Sequence, residues 1–189
     1  MTQETGSGSR AFEISHHRLE CLFDGIFAIA MTILVLELKV PELEDRHSVA
    51  EMARHLAHHG ATFFSYLFSF CILGLLWHRH NQHYRHLRHI TRGMLALHLV
   101  QLAMAAFFPF CAAVFGRYLT NPLSVTLYAG CLLVFNSAAL AEWLVAERAG
   151  AISPELDPAD HRRYRRRNLR ACLATGAIFV LYLAQALAQ

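Results

Sequence analysis

Apolar positions in this chain are gathered into blocks and do not recur as narrow stripes. Runs dominated by apolar residues cover 26–38, 61–77, 94–116, 123–145 and 169–188, and His- or Arg-rich segments separate several of them. An α-helix rises about 1.5 Å per residue, so roughly 20 residues cross a hydrocarbon core of about 30 Å. Four blocks reach that length alone or with their flanks, and the first does so if its helix begins near Glu20. The pattern predicts an all-α integral membrane protein, a multi-span bundle with five visible spans.

The connecting segments carry their own signals. Within 39–60, Ser48 followed by Glu51 three residues later reads as a capping box, and Gly60 as a stop, which predicts a short helix. Trp77 suits an interfacial belt. Pro109 inside the third block predicts a kinked or softened helix. His98 and Gln101, three apart, share a face at membrane depth, where polar groups turn inward and find partners. The fourth block has small residues (Ser124, Ser137, Ala138, Ala141) suited to close helix contact, plus Asn136. The polar opening, rich in Gly and Ser, predicts a mobile cytoplasmic tail over 1–17 with no secretory signal, and 18–189 a single transmembrane domain.

Composition agrees with the pattern. Hydrophobic residues make up 55 % of 189, and charged residues 16 %, against about 25 % in soluble domains. Mean hydropathy is +0.31. The five cysteines lie in or beside predicted spans without metal-site spacing, so they read as small buried residues.

A net charge of +3 is uninformative until its placement is considered. Thirteen of the 17 Lys and Arg residues fall in the N-terminal tail with the adjoining Arg18, in 79–92 and in 148–170. The positive-inside rule therefore puts the N-terminus and the second and fourth loops in the cytoplasm of a multi-pass plasma-membrane protein. Six arginines between Arg162 and Arg170 read as an anchor for anionic headgroups. Nothing aromatic or groove-reading accompanies them, so no nucleic-acid partner is expected.

Thirteen histidines raise a metalloenzyme alternative. His55, His58 and His59 match an HxxHH spacing used by membrane di-iron oxygenases, Glu51, His55 and His59 offer surface zinc capture, and His80, His83, His86 and His89 repeat every third residue. The charge argument puts the first three outside and the last four inside, where they cannot converge on one metal pair. No enzymatic activity, cofactor or resident metal is expected. A secondary transporter is the other alternative, but the spans show no internal repeat.

In the first span Asp24 and Gly25 stand at the entrance, and no further charge occurs until Glu37. Ile29, Ile33 and Leu36 share one face with Thr32 beside them. Pattern alone leaves lipid contact, helix packing and pore lining open. The stretch from Arg18 to Glu37, "RLECLFDGIFAIAMTILVLE", resembles the first-helix signature of the bacterial branch of the transmembrane protein 175 family of potassium channels. Leu22 and Phe23 stand where that signature has Phe-Ser. Weaker likeness continues through Trp77, His80 and "FFPFCAAVFGRY".

The resemblance implies a homotetramer of six-helix subunits whose first helices line a central pore. It places a hydrophobic constriction at Ile29, with Ile33, Leu36 and Thr32 following. It also implies a supporting network of Arg18, Asp24, Trp77 and His80. Potassium would be the permeant ion, favoured modestly over sodium, with no carbonyl filter of the TVGYG kind.

Overall fold

In the computed structural model, residues 16–189 are described, and they form six α-helices. They are α1 (His16–Ile33), α2 (Val49–His58), α3 (Gly60–Tyr84), α4 (Arg92–Arg117), α5 (Pro122–Arg148) and α6 (Pro158–Leu187), with a 3₁₀ turn at Leu34–Glu37 extending α1. The expected tail falls outside the described residues over 1–15, while His16 and His17 already belong to α1. Five helices are long and apolar enough to cross a membrane, and α2 is not among them.

Helix starts follow the sequence signals. Thr91 Oγ1 accepts from the Met94 N–H, Asn121 Oδ1 from Leu123 and Asp157 Oδ1 from Ala159, each satisfying an orphan donor of a first turn. Pro122 and Pro158 occupy the first turns of α5 and α6, where a missing N–H costs nothing. The capping box at α2 is only half formed. Ser48 Oγ accepts from Glu51 N–H at 3.2 Å, but the Glu51 carboxylate turns to the backbone N–H groups of Glu44 and Asp45.

One punctuation mark behaves differently from expectation. Gly60 does not end α2; His59 does, and Gly60 is the first residue of α3. Pro109 lies inside α4, which runs unbroken to Arg117. Burial among neighbouring helices carries the chain past the lost backbone bond. Where α5 ends, Gly150 takes φ +62. Ala151 N–H reaches Ala146 O and Gly150 N–H reaches Glu147 O. This paired geometry requires a left-handed residue at that position.

The bundle is a sequence of packed neighbours. α4 packs on α5 and α5 on α6, α3 lies along α4, and α1 contacts both α3 and α4. The main core joins Phe23, Phe27, Ala30 and Leu34 to Leu73, Leu102, Phe108 and Tyr128. Close approach of α3 and α4 depends on Gly116, where a Cβ would fall 2.9 Å from Ser65 Cβ. There Ser65 Oγ donates to Ala112 O.

Candidate pore helix and its polar support

The first helix has two unlike faces. Phe23, Phe27, Ala30 and Leu34, spaced four, three and four apart, are each no more than 4 % exposed and face α3 and α4. Ile29, Ile33 and Leu36 are 59, 41 and 72 % exposed, and Thr32 is exposed with them. At about 100° per residue this second set lies across the helix from the first. Thr32 Oγ1 donates to Ile29 O at 2.8 Å, the local bond that commonly satisfies a threonine within a span. Its oxygen keeps capacity to accept a further bond.

Near the N-terminal end of α1, between the two faces, Trp77 Nε1 donates to Asp24 Oδ1 at 2.7 Å. That bond ties α1 to α3 across 53 positions of sequence. His80, grouped with this pair by resemblance, sits elsewhere. Its ring stacks on Phe23 with centroids 3.3 Å apart and 7° between planes, and it adjoins His98 and Tyr84. Arg18 is exposed, six residues and therefore about 240° around the helix from Asp24. The four support residues thus form one direct pair, one stacked histidine and one outlying arginine.

Phe23 was noted in the sequence only as a departure from the signature. In the fold it is fully buried and stacks on both Phe27 and His80. The ring that replaces the signature hydroxyl anchors α1 to the histidine at the end of α3.

Behind this contact lies a buried polar cluster. Tyr84 Oη is 2.8 Å from His98 Nδ1 and donates to Glu142 Oε1 at 3.2 Å, and Gln101 Nε2 donates to Glu142 Oε2 at 2.6 Å. His98 and Gln101 find the inward partners expected of them. Glu142 and Tyr84 were not anticipated, although a lone carboxylate within the fourth apolar block is a recognisable signal of a buried site. Beyond the cluster, Arg79 donates to Asn136 Oδ1 and Asn168 Oδ1, at 3.1 and 2.9 Å, linking α3, α5 and α6.

Histidine-rich stretches do not assemble a metal centre. Among the described residues no group of three or more His, Cys, Asp or Glu side chains is placed to hold a metal ion. His80 and His83 are buried in the bundle, His86 Nε2 meets Tyr164 Oη, and His89 is exposed. His55 lies beside Glu51 at 3.9 Å. Outside the spans, the N–H groups of Glu44 and Asp45 hold the Glu51 carboxyl below its ordinary range.

Fold and site together define a class: a membrane-embedded helical bundle whose first span packs on one side and leaves an aliphatic face free on the other. A family model described as "Endosomal/lysosomal potassium channel TMEM175" matches residues 18–109, which include nearly all of α1, the whole of α2 and α3, and most of α4. A potassium channel of Chamaesiphon minutus is 31 % identical over 146 residues, 70 % of each chain. A potassium channel of Streptomyces collinus is 27 % identical over 172 residues, 86 % of this chain and 82 % of that one. The chain belongs to the TMEM175 family. Its fold matches the crystal structure of a lysosomal potassium-selective channel TMEM175 homolog from Chamaesiphon minutus with a TM-score of 0.67 and 24 % identity, covering 91 % of this chain and 96 % of that one.

Proposed function

We propose that the chain is a potassium channel that assembles as a homotetramer, with α1 of each subunit lining a central pore. The observation that carries this reading is the free face of α1: Ile29, Ile33 and Leu36 stand exposed on the helix that bears the family signature. Four such faces around an axis make successive aliphatic rings. Narrow apolar rings expel water, and an ion cannot shed its hydration shell there without replacement ligands. The rings therefore act as a gate at Ile29, opened by widening or rotation of α1. Potassium gives up its water more easily than sodium, so a pore that strips water without strong ligands favours potassium modestly. Thr32 supplies the neighbouring hydroxyl oxygen, and the Asp24–Trp77 bond braces the helix at its entrance.

Charge placement supports a cytoplasmic N-terminus in the plasma membrane. The cleft lined by Arg162, Arg163, Arg166 and Arg170 would then face anionic headgroups of the inner leaflet. Named relatives are channels, which favours transport over a metalloenzyme.

The test is flux. Purified protein in liposomes loaded with potassium should release it above the rate of empty liposomes, with slower sodium release under the same gradient. Flux equal to empty liposomes, or a Leu36→Asp protein with unchanged flux, would remove α1 from the ion path.

A further inference from the structure

Near the arginine-rich end, α3, α4, α5 and α6 surround a cavity of about 20 Å³ whose wall includes Arg79, His80, His83, Gln101, Ala139 and Asn168. Three of these residues carry a buried nitrogen that makes no hydrogen bond to the protein: Arg79 Nε, His80 Nε2 and His83 Nε2. His80 and His83 are only 5 and 6 % exposed. An arginine nitrogen can only donate, and an imidazole Nε2 donates in one of its two tautomers. Gln101, on the same wall, pairs with the His80 side chain, and the nitrogens of Arg79 and His83 keep donor capacity without a protein acceptor.

Its charge is uncompensated as well. The two Nη atoms of Arg79 meet neutral carboxamide oxygens of Asn136 and Asn168. Arg167, close enough to repel Arg79, donates to the Gln82 carboxamide at 2.7 Å. Among the described residues no carboxylate lies within ion-pair distance of either arginine; the ion pairs found are His55–Glu51 and His161–Glu147. Glu142, the one buried acid among the described residues, has its two oxygens engaged by Tyr84 and Gln101. Arg79 and Arg167 are each partly buried, and a guanidinium drawn partly out of water without a counter-charge is destabilised.

Size narrows the occupant. A space of this volume admits one water or one monatomic ion, and it is too small for phosphate, sulfate or a carboxylate group. Water would take up one or two donors and leave the charge as it was. A monatomic anion accepts from every side and offsets the guanidinium. We propose that this cavity binds one halide ion, chloride being the common one, held by Arg79 and His83 and clasping α3 to α5 and α6.

Thermal unfolding of the purified full chain in detergent tests this, in potassium chloride and potassium gluconate at matched ionic strength. Chloride should raise the melting temperature saturably by about 2–4 °C. Ala139→Leu, which fills the cavity, and Arg79→Gln, which removes its charge, should each abolish the difference, whereas Arg162→Gln on the open surface should retain it. Because either interior variant can fail to fold, crystals of the unaltered protein grown in bromide give a second readout. An anomalous peak within hydrogen-bonding reach of Arg79 and His83 is expected there. Melting that ignores the anion, or bromide crystals with no peak in this cavity, would overturn the proposal and identify the occupant as water.

Discussion

The first and last helices both flank the bundle, yet they are held in opposite ways. α1 is wedged in by rings: Phe23 and Phe27 are buried and stack on each other, Phe23 also stacks on His80 of α3, and Phe27 meets Phe135 of α5 edge-on. α6 buries only Asn168 and is fastened by polar and aromatic ties near its N-terminal end. Tyr164 stacks on Trp143 and meets His86, Arg167 reaches Gln82, and Asn168 accepts from Arg79. Further along, its contact with α5 uses small residues, with Phe179 against Gly130 and Leu133 against Gly176. Both helices leave an aliphatic face uncovered. The face on α1 has the Thr32 hydroxyl within it and the Asp24–Trp77 bond near its N-terminal end, and the proposed pore role rests on these polar groups as well as on the aliphatic side chains.

The contrast breaks most sharply at Phe27. Removing that ring should cost about 3 kcal/mol, the low end for a buried phenylalanine, because in lipid the loss is of contact and cavity filling more than of transfer from water. Thermal unfolding in detergent measures it, and hydrogen exchange should show α1 released before α6. A Phe27→Ala protein as stable as the parent would mean that α1 is not held by its rings.

Tyr164→Ala probes the other fastening. It deletes a stacked pair and one hydrogen bond, which together amount to about 1–2 kcal/mol. Exchange should rise in the first turns of α6 while α1 stays protected. If both helices loosen together, the two attachments are not independent.

How much of this was readable beforehand follows the same division. Five spans were legible because block length and apolar content answer directly to bilayer thickness. The buried face of α1 was legible in principle from the spacing of Phe23, Phe27, Ala30 and Leu34. The partners of His98 and Gln101 were not, because Tyr84 and Glu142 come from helices 14 and 41 or more residues away, and only packing sets that register. The ring partner of His80 was not legible for a related reason. Its grouping with Asp24 came from resemblance, whereas the phenylalanine at 23 gives this chain a ring on which the imidazole stacks. Gly60 was misread because a glycine after a helix signals its end equally well when another helix begins there.

Ile29→Asn makes a smaller change to stability and a larger one to transport. The side chain is 59 % exposed and touches little of its own subunit, so unfolding should shift by no more than about 0.5 kcal/mol. A carboxamide in the aliphatic ring lowers the cost of wetting it, so potassium leak from liposomes should rise and the preference over sodium should fall. An unchanged current–voltage relation places the constriction elsewhere. A stability loss matching that of Phe27→Ala would show that the two faces of α1 are not distinct.

The smallest effect expected lies in the loop that leads from α1 to α3, where a charged side chain holds backbone. Glu51 accepts from the N–H groups of Glu44 and Asp45 at 2.9 and 3.2 Å, and these bonds lower its pKa. A carboxyl with a depressed folded-state pKa stabilises above its unfolded value, and the contribution is lost as pH falls through the folded one. Slow exchange of the Glu44 and Asp45 amides should therefore persist at neutral pH and disappear in acid below the usual carboxylate range, with the exchange of α1 unaffected. Glu51→Ala should abolish that protection at every pH, because the carboxylate alone orders these two amides. Protection that survives the substitution would mean the loop is ordered by α2 and α3 themselves, and that α1 enters the bundle without help from the segment that follows it.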